Sequence, residues 1–173
     1  MRNLIPFQNT AAPAQVQAEI VWLFPNLLVQ FFIQDPENRL QLPTSFEAPG
    51  PQVPRADELW KETCFEVFLQ TEGESSYYEF NFSLKPAWNL YAFECYREPQ
   101  PPTSSEDFQL RTMKWDSGVL TCDLHTQKEF SGLRFGLTAV LREPLGSAHY
   151  LALHHAGAKP DFHRPESFTL KKP

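Results

Sequence analysis

Hydrophobic and polar positions alternate with a period of two over much of the chain, the spacing of strands with one face turned to a core. Residues 16–23 and 27–34 form two such runs around a Pro25-Asn26 turn. In 63–70, Phe65, Val67 and Leu69 alternate with Cys64, Glu66 and Phe68. In 77–84, Tyr78, Phe80, Phe82 and Leu84 alternate with Tyr77, Glu79, Asn81 and Ser83, which separates an apolar face from a polar one. Further runs at 88–97, 108–115, 119–125, 133–141 and 150–155 bring the expectation to about nine strands. Asp116-Ser117-Gly118 is a hairpin signal, because glycine tolerates the positive φ of a two-residue connection, so the strands on either side should pair. The pattern predicts an all-β, antiparallel sandwich.

Composition agrees. The 173 residues include 16 Pro and 7 Gly, which disfavours long helices and glycine-rich phosphate loops. A chain of this size can bury one core, and we expect a single domain over 1–173 with its core at about 16–170. The prolines concentrate in 35–57 and at Pro99, Pro101 and Pro102, where missing donors and fixed φ predict irregular connections. With 15 Lys+Arg against 21 Asp+Glu, the net charge of −6 argues against a nucleic-acid surface. Pro6, Gln8, Asn9 and Thr10 interrupt any signal-peptide core, and Pro25, Asn26 and Gln30 interrupt the richest apolar stretch, so neither secretion nor a membrane span is expected. Three widely spaced cysteines match no disulfide framework or zinc ribbon and suggest a reducing compartment, the cytoplasm.

The candidate chemistry lies on the polar face of 77–84 and its neighbours. Glu66, Glu79, Asn81 and Arg97 offer carboxylate, amide and guanidinium groups near Trp60, Trp88 and Tyr91, a combination that suits a sugar's hydroxyls and apolar C–H face. The competing reading is the solvated side of an ordinary sheet, with Arg97 in a structural ion pair with Glu66 or Glu79. Lys159, Asp161 and His163 are further binding candidates in a loop that closes the sandwich. His154, His155 and His163 match no zinc spacing, and no metal is expected. Cys64 reads as a buried structural thiol. Glu66 and Glu79 could form a glycosidase pair, but nothing in their spacing favours that over hydrogen bonding, and no nucleophile elbow or phosphate loop is present.

Three stretches carry a family resemblance: Leu59-Trp60-Lys61-Glu62-Thr63-Cys64-Phe65-Glu66-Val67-Phe68, then Tyr78-Glu79-Phe80-Asn81-Phe82-Ser83 with Trp88, Tyr91, Phe93 and Tyr96-Arg97, and finally Lys159-Pro160-Asp161-Phe162-His163. Together they resemble bacterial DOMON-like domain proteins, which are similar in turn to family 9 carbohydrate-binding modules. The resemblance implies a jelly-roll β-sandwich and a non-catalytic, cytoplasmic ligand-binding module without cofactor. It implies that Glu66 hydrogen-bonds a saccharide, with Asn81 and Arg97 facing the same cleft. The stretches before Trp88 and around His154-His155 depart from the family's usual Pro-Ser-Gly and His-Pro-Pro-Gly-Lys. Haem-binding relatives use a Met and a His as axial ligands, and Met113 is the internal methionine available for that alternative. A protein-interaction module acting through the proline-rich loops is a further alternative.

Overall fold

The computed structural model describes residues 1–100 and 106–172, apart from the side chain of Asn9. In chain order the strands are β1 (Arg2–Asn3), β2 (Ile5–Pro6), β3 (Gln15–Leu23), β4 (Asn26–Gln34), β5 (Ser45–Pro49), β6 (Cys64–Thr71), β7 (Tyr77–Ser83), β8 (Ala87–Cys95), β9 (Glu98–Pro99), β10 (Phe108–Asp116), β11 (Val119–Thr126), β12 (Leu133–Arg142), β13 (Ala148–Ala152) and β14 (Leu170–Lys172). The first sheet runs β1-β3-β4-β11-β10-β5. The second runs β2-β13-β12-β6-β7-β8-β9, with β14 also on β12. Every ladder is antiparallel. The two sheets pack face to face as a β-sandwich, the predicted class, and no described helix is long and apolar enough to cross a membrane.

Alternation explains the core. Val16, Ala18 and Ile20 of β3, Leu27, Val29, Phe31 and Ile33 of β4, and Leu120, Cys122 and Leu124 of β11 point inward from the first sheet. They meet Phe65, Val67 and Leu69 of β6, Phe80 and Phe82 of β7, and Phe135, Leu137 and Ala139 of β12. Phe31 and Phe65 touch across the gap at 5.1 Å between ring centroids. The β10–β11 hairpin closes as expected: Asp116 pairs with Val119, and Ser117 and Gly118 both hold positive φ, 49° and 80°.

Several expectations change, among them the 150–155 run, which is displaced to Ala148–Ala152. The proline-rich 35–57 segment is not wholly irregular, because β5 lies within it and pairs with β10 at the sheet edge, with Pro49 at its end, where fewer ladder donors are needed. The run at 88–97 is shorter than predicted: β8 stops at Cys95, and Tyr96-Arg97 form a tight connection to β9, with Arg97 at φ 56°. Of the second proline cluster, Pro99 is not in an irregular connection but ends β9, and Pro101 and Pro102 lie outside the described residues.

The second sheet has a further buried layer. Every residue of β7 is buried, on both faces. On the side away from the main core, Phe68, Tyr77, Tyr91, Phe93, Val140 and Ala152 form a second apolar cluster with Phe162 and Phe168 from the chain segment after β13. Gly136 opens the slot for this contact, because a Cβ there would lie 2.7 Å from the Phe168 ring. Arg134 holds the same segment by donating to the carbonyls of Pro165 and Phe168.

Candidate functional site

The outer face of β6–β7–β8–β12 floors a cleft of about 810 Å³. Period two selects its residues: Glu66 from β6, Glu79 from β7, Tyr91 and Phe93 from β8, and Val140 and Arg142 from β12 line it. The segment before β6 supplies Asp57, Glu58 and Trp60 on one rim. Arg97, Pro99, Tyr150, Pro160, Phe162 and His163 supply the other.

The floor is buried and polar. Glu66 and Glu79 are 3% and 5% exposed, and Asn81 is fully buried. Thr138 donates to Oε2 of Glu66 at 2.9 Å, and Asn81 Nδ2 donates to Oε1 of Glu79 at 2.8 Å. Burial pushes the Glu66 carboxyl well above the carboxylate range, and the neighbouring Glu79 charge raises it further. Burial raises Glu79 as well, against the Asn81 hydrogen bond and the more distant Arg97 charge. Two carboxyls so placed resist ionising together. The Cys64 thiol, with Sγ 3.5 Å from Asn81 Oδ1, is held protonated by burial and the same two glutamates, as befits a structural cysteine.

A hydrogen-bonded chain supports the far wall. The Arg97 backbone N–H donates to the Tyr77 oxygen at 3.1 Å, and the Tyr77 hydroxyl lies 2.9 Å from His163 Nδ1. With the Tyr77 hydroxyl donating a hydrogen bond to Nδ1, the neutral ring carries its own proton on Nε2, which lies 3.5 Å from Oε2 of Glu79. Burial and the Arg97 charge lower the His163 pKa to about 4, so the imidazole is neutral at physiological pH. Asp161 accepts from Tyr96 at 2.6 Å and Arg97 at 3.0 Å, which secures the loop to the β8–β9 turn. On the near wall, Asp57 accepts from Asn89 and from the Tyr91 hydroxyl, both at 2.9 Å. Trp60, 40% exposed, sets its ring edgewise to Tyr91 at 6.2 Å.

Of the sequence candidates, Trp60, Glu66, Glu79, Tyr91, Arg97 and His163 line this cleft. Asn81 lies beneath it as a partner of Glu79, and Asp161 holds its wall. Trp88 does not belong: it sits one residue out of phase with Asn89 and Tyr91, faces the main core stacked on Phe82, and carries the Arg55 guanidinium 3.7 Å over its ring. Lys159 is exposed and is not a lining residue; the first lining residue of this loop is Pro160, and the first buried one is Phe162. Arg97 pairs with Asp161 rather than Glu66 or Glu79, and the polar face of β7 is covered rather than solvated. Met113 is fully buried between the sheets. Asp57, Asn89, Phe93, Thr138, Arg142, Tyr150 and Phe162 were not among the candidates. Phase with Tyr91 was the available signal for Asn89 and Phe93; the loop residues carry none.

No known protein-family profile matches the chain, and neither does any curated protein sequence. Among solved structures, the fold is similar to that of a "putative carbohydrate-binding protein" from Bacteroides uniformis ATCC 8492, with a TM-score of 0.67 and 13% identity over 97% of this chain and 83% of that one. At that identity, the likeness establishes a shared β-sandwich architecture.

Proposed function

We propose that this chain is a non-catalytic binding module, a single domain over 1–173, that takes a carbohydrate or sugar-like polar small molecule in the cleft above β6–β7–β8. The observation that carries this reading is the meeting, on one sheet face, of buried hydrogen-bonding carboxyls with aromatic walls. Glu66 and Glu79 address hydroxyl groups, while Trp60, Tyr91 and Phe162 present apolar surface to C–H groups. The name of the Bacteroides structural neighbour supports the same ligand class. The DOMON-like, jelly-roll assignment and a cytoplasmic location belong to this proposal. The three free thiols, Cys64, Cys95 and Cys122, are consistent with a reducing compartment.

The test is calorimetric titration against a panel of mono- and oligosaccharides, repeated with Trp60→Ala and Glu66→Ala. Each substitution should weaken a bound sugar about tenfold or more, through loss of a stacking surface and of a buried hydrogen-bonding carboxyl respectively. Affinity unchanged in the double variant would place the ligand elsewhere. Turnover of chromogenic glycosides would replace the binding reading with the hydrolytic one.

A further inference from the structure

We propose, building on the saccharide reading of the cleft, that its preferred guest is an amino sugar whose ammonium group is received between Glu66 and Glu79. The two carboxyls come from diagonal positions on adjacent antiparallel strands: Glu66 faces Asn81 in register, and Glu79 stands two residues away on the same face. Such positions lie roughly 7–8 Å apart, close enough for both side chains to reach one guest group. Both are almost wholly buried, yet both line the open cleft.

The protein answers their charge only from a distance, through Arg97. Among the described residues no Lys or Arg makes an ion pair with either glutamate. Arg97, the cation on the adjacent wall, is engaged by Asp161, and His163 is neutral. Arg142, the other lining cation, directs Nη1 to the carbonyl of Gly146, and its buried Nε meets neither glutamate. The remaining neighbours of the pair are Thr138, Asn81 and Cys64, which carry no positive charge, and beyond them Asp57, Glu58 and Tyr91 make the near rim more acidic or neutral.

Buried carboxyls ordinarily have a countercharge. An ammonium supplies one with three donors, and the rings of Trp60, Tyr91 and Phe162 add electron-rich surface around a cation. An acidic sugar would meet the opposite response, because its carboxylate would share a confined space with Glu66 and Glu79. The linkage has a definite sign. Both carboxyls are biased toward their protonated forms, and a neighbouring cation favours the ionised forms, so the amine should displace a proton that a neutral sugar does not.

The experiment is calorimetry at pH 7 with glucose, galactose and mannose, each as the parent sugar, the 2-amino sugar and the 2-acetamido sugar, together with glucuronate. In at least one series the amino form should bind about tenfold tighter than its parent, acetylation should abolish the gain, and glucuronate should bind weakest. Titration in phosphate and in Tris should reveal proton release for the amino form alone. In Glu66→Gln and Glu79→Gln the amino-to-parent affinity ratio should fall toward one; if either variant fails to fold, the acetamido comparison on the unaltered chain decides. Parent sugars binding as tightly as the amino forms in every series would overturn the amine preference and leave the saccharide reading standing. Binding by no sugar in any form would overturn both.

Discussion

The two sheets show the same alternation in sequence and put it to different uses. On β11 of the first sheet, Leu120, Cys122 and Leu124 enter the core, while Thr121, Asp123 and His125 face outward, half-buried. On β7 of the second, Phe80 and Phe82 enter the same core, but Tyr77, Glu79, Asn81 and Ser83 on the outer face are buried too. What differs is the covering. Among the described residues nothing comparable overlies β11, whereas β7 lies under Phe162, His163 and Phe168 on one side and the Asp57–Trp60 rim on the other. A polar residue costs little beside water and much beneath a lid, so the same pattern gives a plain surface in one sheet and a site in the other.

If the sheets truly share one core, emptying it from either side should cost alike. Phe31→Ala in the first sheet and Phe80→Ala in the second each delete a fully buried ring, and each should destabilise by about 3–5 kcal/mol in denaturant unfolding. A loss below 1 kcal/mol at either site would mean that its inner face does not contribute to a common core.

The outer faces should then diverge, first in their response to pH. A carboxyl whose folded pKa lies above its unfolded value binds more protons in the folded state, so stability falls as pH rises from the ordinary carboxylate range, near 4.5, through the raised native values. Glu66→Gln keeps the shape and removes that ionisation. It should stabilise the unliganded protein at pH 8 and flatten a decline of up to about 1.4 kcal/mol per pH unit between pH 5 and pH 8, as read by thermal unfolding. An unchanged slope would show that Glu66 is not the buried acid described.

Much of this was legible in residue order. All nine strand runs exist, and the 116–118 hairpin closes as its glycine indicates. Strand parity placed Glu66, Glu79 and Tyr91 on one face, and followed strictly it would have excluded Trp88, which is an odd number of residues from Tyr91. The lid was less legible. Phe162 and Phe168 lie in a stretch without periodicity, and a non-repeating loop gives no sign of which of its side chains return to the sheet. For the same reason Asp57 could not be matched to Asn89 and Tyr91, more than thirty positions away. The ion-pair partner of Arg97, Asp161, was not legible, because long-range charge pairing depends on the turn that redirects its backbone.

The lid itself can be displaced from below. Gly136→Ala introduces a methyl group 2.7 Å from the Phe168 ring, with the Phe68 Cβ at 3.4 Å closing the other direction. The ring must move, which should cost about 1–3 kcal/mol and loosen the wall that carries Phe162 and His163. Sugar affinity should fall together with stability. A variant with native stability and native affinity would separate the lid from the cleft.

The smallest effect expected anywhere makes the sharpest contrast. Asn81 on β7 and Asp123 on β11 occupy equivalent outward positions in their strands, and composition alone would rank the charged residue as the more consequential. Asn81→Ala removes the amide that donates to Glu79 beneath the lid, and leaving that buried acceptor short of a partner should cost about 1–3 kcal/mol. Asp123→Ala removes a half-exposed carboxylate whose hydration water can replace any lost contact, and should change stability by no more than about 0.5 kcal/mol. Equal losses in parallel urea titrations would show that the outer faces are alike after all. A difference of the expected size would locate the distinction in the covering segments, because both side chains are polar and point outward from mid-strand, and the charged one is the less consequential.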